Sequence, residues 1–393
     1  MRREEPTPVN ADALEELYLD HNATTPMRPE AVEAMLPWLG RPANSSSVHA
    51  LGARAKRAVD CAREQVAALI GARPSEIVFT SGATEANNLA LRNAPVRLLV
   101  VSALEHLSVL KTAESLEITG HSTVVVPPEP DGRVQPSAML SAANSGPALL
   151  SLMLANNETG VLNDVATVGA GRPTGSFVHT DATQAAGRVP VDVDELRVDL
   201  LSLSAHKFGG PQGVGVLYVR RGIMLDSHAQ TGGGQERDRR GGTLNVAGIV
   251  GAGAAATAAA KLLDADAARL RTVRDRFEQL VLAAGLHAIV LGADSPRLSN
   301  TSLIAIPGAP ADAVMAGTPH LAMSHGSACS AGAPGPSHVL RAMGVPDALA
   351  DCALRLTFGP MNNLPDADAA AAAVVASAIR VLNHASHDLG GVA

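Results

Sequence analysis

Lysine is nearly missing from this 393-residue chain: only Lys56, Lys111, Lys207 and Lys261 occur among 31 basic residues, so arginine carries almost all the positive charge. Lys207, flanked by histidine, phenylalanine and glycines, reads as kept for something arginine cannot do, such as forming an imine with an aldehyde. Aromatic residues make up 2% against 46% apolar residues, which excludes an aromatic-rich core and calls for Ala, Val, Leu and Ile packed closely with glycine. That composition suits parallel α/β layers. Cysteine is scarce and odd in number (Cys61, Cys329, Cys352), too few and too scattered for a disulfide framework or a zinc site, and no metal is expected. A net charge of -7 and a pI near 6.0 give no global attraction to nucleic acid or an anionic membrane. The first 20 residues are polar with two prolines, no apolar run reaches the length of a membrane span, and a soluble cytoplasmic protein is expected.

What is present is an alternation of short apolar runs with helical patterns from about residue 29 to 253. Strands are predicted at 76–80, 97–102, 122–126, 148–154, 177–180, 200–204 and 215–219, and an amphipathic helix at 54–70. Near residue 254 the pattern changes to a long Ala/Leu/Arg-rich helix through 284, and a domain boundary is placed there. A large domain of residues 22–258 and a small one of 1–21 with 259–393 follow from this. The last ten residues read as a loose tail.

The chemistry-bearing residues cluster at predicted strand ends, where ligands of open α/β sheets sit. Lys207 stands in Ser-Leu-Ser-Ala-His-Lys-Phe-Gly-Gly after one such strand. Ser81-Gly82-Ala83-Thr84-Glu85 joins a strand to a helix, so its backbone N–H groups and the Thr84 hydroxyl would meet a phosphate at a helix N-terminus. Asp181 closes another strand, where a carboxylate can pair with a cationic ring nitrogen, and Gln184 can reach a phenolic oxygen on that ring. Ser204 and His206 are further phosphate donors, and Asn157 is a ring contact. Taken singly, each of these is as readily a cap or a turn residue. A phosphate cradle, an acid for a ring nitrogen and an imine-forming lysine together imply pyridoxal phosphate.

From Leu-Asp-His-Asn-Ala-Thr-Thr-Pro at 19–26 to Leu-Arg-Leu-Thr-Phe-Gly at 354–359 the chain resembles a cysteine desulfurase of the NifS/IscS kind, in the class V aminotransferase group. The resemblance implies a fold-type I pyridoxal phosphate enzyme: an α/β large domain with a mostly parallel sheet flanked by helices, plus a smaller α+β domain. It implies that Lys207 holds the cofactor and takes the α-proton. Ala83, Thr84, Ser204 and His206 would bind the phosphate, Asp181 the ring nitrogen and Gln184 its phenolic oxygen. His106 would stack on the ring and aid proton transfer, and Arg355 would clamp the carboxylate of L-cysteine beside Asn157. Cys329, in Ser-Ala-Cys-Ser-Ala-Gly, would accept the sulfur; sequence position alone, not the resemblance, offers His106 or His325 as the base that activates it. Thr243, at the end of the glycine-rich stretch 232–243, would reach the partner's phosphate in a homodimer.

Two departures from the family pattern stand out. Ser45 replaces a proline in the Asn44 to His49 stretch, and residues 163–176 are short and glycine-rich where relatives carry a helix, which bears on partner docking. Cys352, in an apolar run, is expected to be buried, and Cys61 to be structural. The implied product beyond alanine is a Cys329 persulfide passed to a protein acceptor, an iron–sulfur scaffold or a thio-modification protein. The alternatives are a selenocysteine lyase or a class V aminotransferase, which need no persulfide cysteine, and a non-catalytic scaffold, which would not need Lys207, Asp181 and Cys329 together.

Overall fold

A computed structural model of the chain describes residues 16–225, 230–325 and 337–390. In chain order the first part comprises β1 (Leu17–Tyr18), α1 (Pro29–Met35), α2 (Ala50–Leu69), β2 (Ile77–Thr80), α3 (Ala83–Arg92), β3 (Leu98–Ser102), α4 (Leu107–Glu117), β4 (Ser122–Val126), α5 (Pro136–Ala142), β5 (Ala148–Ser151), α6 (Val165–Gly171), β6 (Phe177–Asp181), β7 (Leu200–Ser204) and β8 (Gly215–Val219). Helix α7 (Val246–Ala283) follows, then β9 (Ile289–Val290), β10 (Thr301–Ala305), α8 (Ala311–Ala316), β11 (Leu321–Ala322), β12 (Ser324–His325), α9 (His338–Ala342), α10 (Asp347–Ala350), β13 (Ala353–Thr357) and α11 (Leu364–Gly390).

Strands β2, β5, β7 and β8 are buried along their whole length, because helices cover both faces of the sheet they join. The order is β2-β8-β7-β6-β5-β3-β4, parallel from β7 to β4, with β8 antiparallel to both β7 and β2. Alternation sends Ile77, Phe79, Leu201 and Leu203 to one core, and Val78, Leu200, Leu217 and Val219 to the other. A second sheet, β12-β13-β10-β9, is antiparallel, and β1 pairs with β11 beside it. Helix α7 spans two cores: Ile249, Ala252 and Ala256 pack with the large sheet, whereas Leu270, Val273, Phe277 and Val281 pack with β10, β13 and α11.

Several sequence expectations shift. Helix α2 starts four residues early because the His49 side chain accepts the Gly52 N–H at 3.2 Å and caps it. Strand β5 ends at Ser151, although Leu152 and Leu154 still donate to His179 O and Asp181 O at 3.1 and 3.0 Å. Helix α7 starts at Val246 because Asn245 caps it through Gly248 N–H at 3.0 Å. The loose tail is corrected as far as Gly390: between Pro365 and Gly390 neither proline nor glycine interrupts the helix, so α11 runs on to Gly390, and residues 391–393 lie outside the described residues. Residues 163–176 do hold a short helix, α6, capped by Asp164.

The reading of apolar runs is also corrected. By length and composition alone α7 could cross a membrane, with a window of mean hydropathy 1.6, but 56% of that window is buried inside the protein. Its apolar surface serves helix packing. A Cβ at Gly251 would lie 2.6 Å from Met35 Cγ of α1, and one at Gly253 would lie 2.7 Å from Ala62 Cα of α2. Cys352 is buried as expected, its thiol donating to Ala348 O at 3.3 Å. Cys61 is exposed, because the buried face of α2 is Ala55, Val59, Ala62 and Val66 and Cys61 falls off it.

Candidate active site

The carboxyl ends of β2, β6 and β7 open onto a cavity of about 320 Å³ lined by Ala83, Thr84, His106, Asp181, Gln184 and Lys207, among others. Its floor is tight because Gly215, which opens β8, faces Thr80 and Ser204 in register. A Cβ there would lie 2.4 Å from Gly82 Cα, so only glycine lets the β2–α3 turn cross the sheet end. A Cβ at Gly82 itself would meet only Ser204 Oγ, at 3.9 Å, and would project into the cradle.

One end of the cavity is a cluster of donors. The first turn of the ten-residue α3 brings Ala83 and Thr84, and β7 brings Ser204. His206 Nδ1 lies 3.0 Å from Thr24 Oγ1, and burial, with Lys207 and Arg188 beside it, pulls its pKa down to about 4. It is a neutral imidazole. Lys207 sits in a 3-10 turn after β7, and its ammonium donates to Asn22 O at 2.5 Å and Ala23 O at 2.6 Å.

The other end is built around Asp181, 4% exposed, whose carboxylate accepts from Asn87 Nδ2 at 2.8 Å and Thr183 N at 2.9 Å. Asn87 also donates to Ser108 Oγ at 2.8 Å, and Ser108 Oγ lies 2.8 Å from His106 Nδ1. Because His106 Nδ1 also accepts the Ser108 N–H, at 3.1 Å, the neutral ring carries its proton on Nε2. Burial, and then Lys207 and His338, lower the pKa of His106 against the opposing pull of Asp181. Next to it Glu105 is fully buried, and burial together with Asp181 raises its pKa well above the usual range. Its Oε1 accepts the Met153 N–H at 2.6 Å.

Arg355, on β13, is 1% exposed rather than a surface arginine. Its Nη2 pairs with Asp20 at 2.7 Å, its Nη1 donates to Asn157 O at 3.2 Å, and its Nε has no acceptor among the described residues. Asp20 in turn accepts from Ser324 Oγ at 2.7 Å. Glu158, fully enclosed, accepts from the Ser337 hydroxyl. Burial raises its pKa to about 7 against those of Ser337 and Arg355, which lower it.

Ala83, Thr84, His106, Asn157, Asp181, Gln184, Ser204, His206 and Lys207 thus share one cavity. Arg355 is tied to it through Asn157. Thr243 lies apart, exposed on its loop, and that loop is docked on its own chain by a buried pair, Arg63 Nη2 to Glu236 Oε1 at 2.6 Å. Cys329 lies outside the described residues; His325 is the last residue described before it. The sequence reading missed Asn22, Asn87 and Asp20. Asn87 had a signal, since it interrupts the apolar face of α3, and Asp20 and Asn22 lay inside the quoted 19–26 motif.

The aminotransferase class-V family profile matches residues 17–369. The curated cysteine desulfurase IscS of Anaeromyxobacter dehalogenans is 41% identical over 364 residues, covering 90% of each chain. Among solved structures, a NifS-like protein superposes with a TM-score of 0.84 at 31% identity, covering 92% of this chain and 98% of its own. SspA in complex with cysteine superposes with a TM-score of 0.76 at 32% identity, covering 88% of this chain and 99% of its own. With a profile match over nearly its whole length and relatives above 40% identity, the chain belongs to the aminotransferase class-V family, on its cysteine desulfurase branch.

Proposed function

We propose that the protein is a pyridoxal phosphate-dependent cysteine desulfurase that converts L-cysteine to L-alanine and leaves the sulfur on Cys329. One observation carries this reading. A lysine, a buried carboxylate and a helix N-terminus with neutral donors face one cavity of about 320 Å³, in a chain of this family. The residues fit the cofactor. Gly82 leaves room in the cradle, the donors gather at one end and Asp181 waits at the other, and the buried Thr183 Oγ1 beside it has no partner among the described residues.

When bound, the cofactor supplies an electron sink for the α-carbon. The chain does the rest. Arg355 receives the substrate carboxylate, and Lys207 takes and returns the α-proton. Asp181, held in place by Asn87 and the Thr183 N–H, presents its carboxyl group to a ring nitrogen. His106 offers a proton from Nε2. The Cys329 thiolate attacks the substrate sulfur: an S–S bond forms, the C–S bond breaks, and the β-carbon gains a proton. L-Cysteine and a thiol thereby give L-alanine and a persulfide, with no outside oxidant.

The same reading assigns Thr243 to a partner's phosphate in a homodimer and a protein sulfur acceptor to the persulfide, an iron–sulfur scaffold or a thio-modification protein, in the cytoplasm. It divides the chain into a large unit of 22–258 and a small unit of 1–21 with 259–393, close to where α7 changes core. The test is the visible spectrum of the purified protein before and after L-cysteine, with alanine and sulfide assayed in wild type and Cys329→Ser. A yellow wild type that makes both products, beside a yellow variant that makes neither, is the expected result. A colourless protein, or equal turnover without Cys329, would overturn it.

A further inference from the structure

Arg188 is a cation with no task in the reaction just described. It lies one turn after Gln184, partly buried. Its Nη1 donates to Gln184 Oε1 at 2.5 Å and Asn22 Oδ1 at 2.6 Å, and its Nη2 to His21 O at 2.9 Å and Lys207 O at 3.4 Å. All four acceptors are neutral oxygens, drawn from the Asn22 segment, the Gln184 turn and the backbone of Lys207 itself. Burial, and then Arg355, bring its pKa down to about 10, so it stays charged at neutral pH.

We propose that Arg188 is a positioning residue that fixes which way the amides of Gln184 and Asn22 face. In doing so it keeps Gln184 a hydrogen-bond donor toward the cavity and aligns Asn157 with Arg355. A guanidinium has donors and no acceptor, so whatever it touches must turn an oxygen to it. Gln184 therefore gives Oε1 to Arg188 and its NH₂ to Asn22 O, at 3.0 Å, which leaves a second amide hydrogen for the cavity that Gln184 lines. The reversed amide would set NH₂ against the guanidinium and oxygen against the Asn22 carbonyl, losing two bonds and gaining two repulsions. Asn22 obeys the same constraint. With Oδ1 on Arg188, its Nδ2 donates to Asn157 O and Thr301 Oγ1, each at 3.1 Å. Asn157 O is also the acceptor of Arg355 Nη1. One guanidinium thus dictates polarity from the ring side of the cavity to the carboxylate clamp.

The inference rests on the pyridoxal phosphate reading and deepens it, so the experiment uses the holoenzyme. The visible absorption maximum, kcat and KM for L-cysteine are compared in wild type, Gln184→Ala, Arg188→Met, Arg188→Gln, Arg188→Lys, and Gln184→Ala combined with each Arg188 change. Arg188→Gln keeps a hydrogen-bonding partner that accepts either amide polarity, so it tests the idea even where Arg188→Met does not fold. Losing the orientation should move the absorption maximum as Gln184→Ala does and lower kcat about ten-fold. Adding Gln184→Ala should then cost little more, and Arg188→Lys, which has only donors, should recover most of the loss. The inference is overturned if Arg188→Gln keeps the wild-type maximum and kcat, or if Gln184→Ala still exerts its full effect in that background. A wild type that takes up no cofactor would instead sink the underlying reading.

Discussion

The donor cluster of the cavity and the arginine behind it are made in different ways. The donor cluster is local: short segments, Ser81 to Glu85 and Ser204 to Lys207, each place a turn at the end of a strand, and the β8 register closes the floor beneath them. The Arg355 site is assembled from afar, with Arg355 bound to Asp20 across 335 positions and to Asn157 across 198. A local site tolerates change in the rest of the molecule as long as the sheet forms. A distant one depends on how two packed units meet.

The sharpest way to break the contrast is at Lys207. Lys207→Ala should lose about a thousandfold or more of turnover, while its melting temperature stays near wild type, because the ammonium is held by two carbonyls at the rim of a cavity. A steady-state assay beside thermal unfolding checks both. Asp181→Asn keeps the shape but removes the charge, and kcat should fall about a hundredfold or more. A turnover assay at saturating L-cysteine decides it, and an unchanged kcat would mean that the carboxylate only caps its turn.

At the clamp the expected effects are smaller and fall on binding. Arg355→Lys loses the fork that Asp20 and Asn157 O share, so KM for L-cysteine should rise about ten-fold or more with kcat less affected. Titrating velocity against substrate separates the two. Glu158 gives the mildest test. Its folded pKa of about 7 lies above the ordinary 4.5, so the folded protein holds this proton more tightly than the unfolded chain does. Its contribution to stability is therefore lost as pH rises from about 4.5 to about 7, by up to about 3 kcal/mol, and is flat above that. In Glu158→Gln that slope should vanish, so its melting temperature should gain on wild type across the window. A constant difference between the two curves would show that Glu158 is ionised throughout.

How much of this was legible follows the same division. The strands at 122–126, 200–204 and 215–219 were readable to the residue, because each is a short, mostly apolar run bounded by polar, glycine or proline turns, whether buried throughout like β7 and β8 or lying at the exposed sheet edge like β4. Lys207, Asp181, Gln184 and the α3 turn were readable because each ends such a run. Asp20 and Asn22 were not, because their roles are hydrogen bonds to residues far along the chain, and Asn87 showed only as a break in the apolar face of α3, with nothing in the local pattern to say that it holds Asp181. Glu105 and Glu158 escaped notice for a related reason. Periodicity marks where a side chain faces, and only packing tells whether an acid there keeps its proton. The early starts of α2 and α7 turned on caps, His49 and Asn245, that lie before the apolar pattern begins.

The stretch from Leu17 to Thr25 has a consequence for the order of folding. Leu17 and Tyr18 pair with Leu321 and Ala322, Asp20 bridges to Thr357, and Asn22 and Ala23 supply the carbonyls on which Lys207 rests. This segment leaves the ribosome early, meets Gln184, Arg188, His206 and Lys207 midway, and finds its last partners only when β13 has been made. The strands of the large sheet are all made by Val219, while the α7 residues Ile249, Ala252 and Ala256 that pack with it come later. The carbonyls on which the Lys207 amine rests are held from both sides, by Gln184 and Arg188 and by Thr357, and the second hold comes only when nearly the whole chain has been synthesised, so a complete site and a finished protein come into being together.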